Sequence, residues 1–354
     1  LAVLRHVESG STVQNALTVT VTLGTTLNDV NKSFLVFGGG HYDGARPNRD
    51  LFTGYIKSTT QIEFQKYSTG VGINFEWFVV EFTSGVSVNH VTVNSSNDTF
   101  RPQGYGAALT GDPDPQTSML WFSCRVNDAD WYHQTTCGRM VDEDNVEFIQ
   151  SYDDAETEIR AQVITYSDSA DFNRIPGRWI NLGTTDASGT EDIREAAGTE
   201  RMVLGSFSVN NSSNAQLDAR DVHVEYSLSD SDTVAWSRGQ GATPEMGGWG
   251  WFDVYEFKDG TTCDQFTFTT TSSNYSGTVD ITSAGLSSKD NAILVGSTMP
   301  QIIGETDSAL VDRMTDAMFS LSLDSTTQVT WERRDHNGAT ASCTFYVIDF
   351  SGAS

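Results

Sequence analysis

Positive charge is what the sequence has least of: 21 Lys+Arg stand against 47 Asp+Glu in 354 residues, a formal net charge of -26. Only five of the basic residues are Lys (Lys32, Lys57, Lys66, Lys258, Lys289). Nucleic-acid affinity comes largely from Lys and Arg neutralising phosphates, so no nucleic-acid partner is expected, and an anionic membrane is disfavoured for the same reason. Long apolar runs are also missing. The run Trp77-Phe78-Val79-Val80 is typical of the longest, so no membrane insertion is expected. There is no Gly-rich phosphate loop, no His-Glu-x-x-His, no Gly-x-Ser-x-Gly elbow and no dinucleotide fingerprint, and the six histidines are scattered singly. No catalytic residue is assigned and no enzyme activity is expected. What the chain does have is 38% hydrophobic and 11% aromatic residues, enough for buried cores, with a charged fraction too low for a disordered polyelectrolyte.

Internal repetition organises the rest. Four segments close alike, on Phe82, Tyr166, Phe257 and Phe350, at separations of 84, 91 and 93 residues. Before each stands a second signature: Gln61-Ile62-Glu63-Phe64, Asn145-Val146-Glu147-Phe148, Thr233-Val234-Ala235-Trp236 and Gln328-Val329-Thr330-Trp331. A third, apolar strand lies upstream in every case: Phe34-Leu35-Val36-Phe37, Met119-Leu120-Trp121-Phe122, Met202-Val203-Leu204-Gly205 and Ala292-Ile293-Leu294-Val295. Length alone suggests two or three domains; the repeats raise this to four homologous units, placed at 1–85, 86–170, 171–260 and 261–354.

Alternation of Thr, Val and aromatics with period two, broken by Gly, Asp, Asn and Ser clusters, makes each unit a small antiparallel β-sandwich, Ig-like or jelly-roll-like, of seven to nine short strands. The second signature and the closing strand are expected to form one hairpin per unit. The lead from Leu1 to His6 is available as an arm.

Cysteines respect the unit boundaries: Cys124 and Cys137 fall in the second unit, Cys263 and Cys343 in the fourth. Disulfides within these units are one reading and buried free thiols the other. The densest acidic clusters also lie in the second unit, and Asp128, Asp130, Asp142 and Asp144 are weak candidates for Ca2+, although none follows the EF-hand pattern. No other cofactor is implied. Loops on a rigid sandwich commonly carry binding residues, which singles out His41, Tyr42 and Arg46, then Trp131 and Tyr132, then Trp249. A polar residue recurs before each closing aromatic (Glu81, Thr165, Glu256, Asp349) and reads as a strand end reaching solvent. Six Asn-x-Ser/Thr sequons permit glycosylation without requiring it.

The run Lys32-Ser33-Phe34-Leu35-Val36-Phe37, followed by Thr59-Thr60-Gln61-Ile62-Glu63-Phe64, Trp77-Phe78-Val79-Val80-Glu81-Phe82 and Ser84-Gly85-Val86-Ser87-Val88, resembles β-sandwich repeats of tailed-phage virion proteins and of prokaryotic surface proteins. A fainter similarity is to H-type lectin domains, which close on a comparable aromatic strand. The resemblance informs architecture more than activity; with four scaffold copies and no shared catalytic residue, the expectation is an extracellular, non-enzymatic structural component, such as a phage tail, fibre or capsid-decorating protein. Its expected partners are copies of itself or other virion or surface subunits. The alternatives are a glycan-binding or adhesion protein that meets a host glycan, a subunit of a cellular surface filament or layer, and, last, a carbohydrate-active enzyme.

Overall fold

β-branched and aromatic side chains pack well on a pleated surface, and the chain forms strands almost wherever they alternate or run together. The computed structural model describes the chain apart from residues 39–50, 70–71, 96–102, 128–134, 151–155, 183–187, 194–197, 211–223, 239–246, 272, 300–304, 307–317, 334–339 and 354. Among the described residues there is no α-helix, only β-strands and one-turn 3-10 helices. The fold is all-β and antiparallel.

One strand order recurs in four consecutive segments. In the first, β1 (Val3–Gln14), β6 (Ile73–Ser84) and β3 (Ser33–Gly38) form one sheet in that order, and β2 (Thr18–Thr22), β5 (Gln61–Gln65) and β4 (Thr53–Ser58) form the facing sheet. The second segment repeats this with β7 (Val86–Ser95), β12 (Thr157–Tyr166) and β9 (Ser118–Val126) against β8 (Gln103–Ala108), β11 (Asn145–Gln150) and β10 (Thr136–Met140). In the third, the opening position is split into β13 (Phe172–Ile175) and β14 (Trp179–Leu182), which pair with β19 (Gly247–Phe257) beside β16 (Arg201–Asn210). Its other sheet is β15 (Ser188–Asp192), β18 (Thr233–Arg238) and β17 (Val224–Leu228). The fourth has β20 (Thr262–Thr269), β26 (Ala341–Asp349) and β22 (Ala292–Gly296), with the short β23 (Glu305–Thr306) beside β26. They face β21 (Ser276–Asp280), β25 (Gln328–Glu332) and β24 (Ser320–Ser325).

Three expectations change. Among the described residues the first and second segments have six strands, fewer than the seven to nine expected, and the third and fourth have seven. The second signature and the closing strand are not a hairpin. β5 already has β2 and β4 on its two edges and β6 has β1 and β3, so the chain crosses from one sheet to the other between them. The lead into the first segment is no arm either, since β1 begins at Val3 and pairs along β6.

Registers align the repeats residue by residue. Ser33 faces Glu81, Ser118 faces Thr165, Arg201 faces Glu256 and Ala292 faces Asp349. One internal swap shows the packing logic. In the first two segments an aromatic on the upstream strand (Phe37, Phe122) meets a glycine on the neighbouring sheet, where an added Cβ would sit 2.4 Å from Phe37 at Gly54 and 2.7 Å from Phe122 at Gly138. In the third the pair is reversed, and a Cβ on Gly205 would come within 2.1 Å of Tyr226. Volume is conserved across the pair, as a close-packed interior demands.

The segments close on themselves. Phe34 and Val36, Met119 and Trp121, Met202 and Leu204, and Ile293 and Val295, four equivalent pairs from the upstream strands, are buried together around one shared apolar centre. The closing aromatics gather beside it: Phe82 lies 5.8 Å from Phe350 and 6.2 Å from Tyr166, while Phe257 lies 6.4 Å from Phe350 and meets Tyr166 through Phe172. The upstream strands are therefore apolar on both faces because both are covered, one inside the sandwich and one at the ring centre.

Candidate functional site at the seams

A ring of sandwiches leaves the outer edge of each upstream strand without a strand partner, and unpaired buried backbone groups are costly. Groups of the next segment supply partners, side chains at most seams and backbone at the third-to-fourth. Between the first and second segments, Gln162 accepts from Leu35 N at 2.8 Å and donates to Leu35 O at 2.7 Å, while Gly54 N donates to Ser123 Oγ at 3.2 Å. Between the second and third, Leu120 N donates to the Tyr255 hydroxyl at 3.3 Å and Gly138 N to Ser206 Oγ at 3.0 Å. Arg174 there reaches Met140 O at 3.3 Å and pairs with Asp253 at 2.9 Å, both side chains nearly inaccessible. Between the third and fourth, Gly205 exchanges backbone bonds with Ser297 and Met299, and Gln265 holds both N–H and C=O of Leu228. Between the fourth and first, Leu323 N donates to Glu76 Oε2 at 2.9 Å.

One position recurs at these seams. Glu76, Arg160, Trp251 and Thr344 each stand five residues before the repeated polar position of the closing strand. Arg160 lies over the Tyr55 ring at 4.3 Å, and Arg139 lies over the rings of Trp251 and Trp179 at 5.4 and 4.8 Å. Tyr55 and Arg139 are themselves equivalent, opposite Glu63 and Glu147. At the first two seams a guanidinium thus stacks on an aromatic, with the partners exchanged.

The surrounding carboxylates are neutralised. Burial would raise Glu63, but bonds from Lys57, Tyr55, Gln65 and Thr20 outweigh it and bring its pKa down to about 2. Glu158 binds Arg125 and Arg160, and Glu147 binds Arg139.

The fourth-to-first seam differs. The equivalent pair is Ser322 and Glu76, and a groove of about 380 Å³ opens there, lined by Ser11, Thr12, Ser320, Ser322, Asp324 and Glu332 among others. Burial pushes the Glu76 carboxyl up to about 7, against the Leu323 N–H and the exposed Lys289, with Asp324 adding to the rise. A larger cleft of about 850 Å³ lies along Asn31, His90, Asp112, Asp114 and Asp168. Its groups mostly serve local turns: Asp114 accepts from Gln116 N, Asp168 from Ala170 N, and His90 Nε2 lies 2.9 Å from Val30 O.

The residues singled out from sequence fall as follows. His41, Tyr42, Arg46, Trp131, Tyr132, Asp128 and Asp130 lie outside the described residues. Trp249 is not in a loop but in β19, half-buried opposite Asn181 and Ser208. On the same face stand Trp251 and Trp179, the latter 36% exposed and 5.2 Å from Trp251 in an edge-to-face pair. Asp142 and Asp144 are exposed in the β10–β11 turn, where Asp142 accepts from Asp144 N and Asn145 Nδ2. Among the described residues no group of three or more His, Cys, Asp or Glu gathers to hold a metal.

The disulfide reading is corrected: Cys124, Cys137, Cys263 and Cys343 are all free and buried. Cys263 faces Ile348 and Cys343 faces Phe268, five positions apart along paired strands, or about 17 Å, where a bridge needs Cα atoms within about 7 Å. Cys124 lies in β9 of one sheet and Cys137 in β10 of the other, its thiol 3.7 Å from Ser206 O across the seam. Burial pushes both of these thiols up to about 12.

The repeated polar residue is also buried rather than a strand end in solvent. Glu81 is 0% exposed and accepts from Asn28 N and Asp29 N; Glu256 accepts from Gly198 N, Asp349 from Ser351 N, and Thr165 bonds the Ser118 hydroxyl. In the first and third segments it ties the chain leading into the upstream strand to the closing strand. Gln162, Arg174, Asp253 and Glu76 carried no motif. Their signal was an amide or charge inside an otherwise apolar strand.

No protein family matches the chain, and no curated protein matches it.

Proposed function

We propose that this protein is a non-enzymatic structural component of an extracellular assembly, most simply a phage virion protein of the tail, fibre or capsid-decorating kind, built from four homologous domains. The observation that supports this reading is the use made of the repeated positions: they carry packing and seam contacts rather than a shared set of reactive groups. Four sandwiches around a filled centre make a hub rather than a pore or a catalytic cleft. The outward sheets are free to differ, so one can hold a neighbouring subunit while another meets the surroundings. The acidic coat keeps such a hub soluble at high salt. Mass analysis of purified particles tests the assignment: the reading requires this chain among the particle proteins, and particles without it would end it.

A second reading, glycan binding, draws on the aromatic face of the third segment. Trp179, Trp249 and Trp251 share that face with Asn181, and aromatic surface beside fixed polar groups suits a sugar ring. Trp179→Ala should abolish any binding seen on a glycan array, and an array without binding would remove this reading.

A further inference from the structure

The groove between the fourth and first segments holds carboxylates where the first two seams hold a guanidinium; the third-to-fourth seam has Ser227 and Thr344 at the equivalent positions. Arg160 fills the recurrent seam position between the first two segments, and Arg139 fills it from the opposite side between the second and third. Each is neutralised by a glutamate of its own segment, Glu158 for Arg160 and Glu147 for Arg139. At the last seam Ser322 stands in the place of Arg139 and Tyr55, and Glu76 in the place of Arg160 and Trp251. The bulge residue beside it changes as well: Lys57, which binds Glu63 in the first segment, becomes Asp324 in the fourth. Two bulky or cationic side chains have been replaced by small or acidic ones, and room of about 380 Å³ is left behind.

The geometry points to this groove as a docking site for an arginine side chain presented by another protein, seated between Glu76, Asp324 and Glu332 at the position that Arg139 and Arg160 occupy within the chain. A guanidinium matches the lining better than a compact cation does. The carboxylates do not form a group that could hold a metal ion, and the hydroxyls of Ser11, Thr12 and Ser322 line the groove as acceptors for the further N–H donors of a planar fork. Lys289 acts on Glu76 from an exposed one-turn helix and does not line the groove. The site goes beyond the assembly reading, because it stands on this seam alone whichever particle or surface supplies the partner.

A chain of this net charge attracts any polycation, so the test needs a matched control. The full-length protein is titrated with a hexa-arginine peptide at about pH 9, where Glu76, with its pKa of about 7, is ionised, and at about 150 mM salt, where long-range attraction is screened. Saturable binding is expected, weakened about tenfold or more by Glu76→Gln with Asp324→Asn, and changed less than about twofold by Asp142→Asn with Asp144→Asn, which removes the same charge from an exposed turn. Equal losses from the two pairs, or no saturable binding, would overturn the site. So would spermidine competing as well as the peptide, since that would mark a site for free amines. A second variant guards against misfolding: Ser322→Arg supplies the guanidinium from within. It should raise the thermal midpoint and abolish peptide binding, and a lower midpoint with binding intact would count against the site.

Discussion

Gln162 of the second segment pairs with Leu35 of the first as a neighbouring strand would, accepting from its N–H at 2.8 Å and donating to its carbonyl at 2.7 Å, with both residues buried. One amide side chain completes a sheet edge across a seam. Gln162→Ala leaves two buried backbone groups unpaired and should cost about 1–3 kcal/mol in urea denaturation. Gln162→Glu keeps the acceptor but turns a second acceptor toward Leu35 O, so it should rescue little.

Arg174 and Asp253 form an ion pair with side chains 6% and 4% exposed, and Asp253 also accepts from Gly177 N and Trp251 Nε1. Arg174→Met strands a buried carboxylate and should destabilise by about 3–5 kcal/mol. Adding Asp253→Leu should recover part of that loss, leaving the cost of the three donors it unpairs, Gly177 N, Trp251 Nε1 and the Tyr255 hydroxyl. A double-mutant cycle reads the coupling directly, and additive losses would refute it.

Glu76 sets a pH dependence of known sign. Its folded pKa, about 7, lies above its ordinary value of 4.5. Its contribution to stability is therefore whole below about 4.5 and is lost as pH rises through 7, by up to about 3 kcal/mol at about 1.4 kcal/mol per unit. His6 and His90 are shifted down by burial and act in the opposite direction at acid pH, so the comparison that isolates Glu76 is wild type against Glu76→Gln. Between pH 5 and 8 the wild type should lose more denaturant midpoint than the variant; parallel profiles would contradict the assignment.

The four thiols give a direct chemical check. Buried and free, with Cys124 and Cys137 pushed up to about 12, they should resist a thiol reagent in the native protein and all react once it is unfolded without reductant. Fewer than four reactive thiols in the unfolded, unreduced chain would mean a bridge.

Much of the strand framework is legible in the sequence. The strands carrying Phe64, Phe148, Trp236 and Trp331 occupy equivalent places in their sheets, because a half-buried strand imposes a period of two on its sequence, and Phe82, Tyr166 and Phe257 lie in the closing strands while Phe350 opens a one-turn 3-10 helix just after its own. What periodicity could not say was how the segments meet. The upstream strands carried a clue: Phe34-Leu35-Val36-Phe37 is buried throughout, yet β3 lies at the edge of its sheet, so cover had to come from another segment. Cysteine spacing misled because pairing needs strand register as well as a shared unit, and register places Cys263 and Cys343 five residues out of step. Glu81, Glu256 and Asp349 misled because charge near a strand end usually meets water, whereas these side chains are taken up by backbone N–H groups. The seams were the least legible part, since Gln162 and Glu76 owe their roles to partners 127 and 247 residues away.

Small-angle X-ray scattering of the monomer tests ring closure most directly. A closed arrangement of 354 residues should give a radius of gyration of about 20 Å, the value for a compact chain of that length. Four sandwiches strung in line would give about 35 Å, and a value near that would contradict the shared centre on which this account of the fold rests.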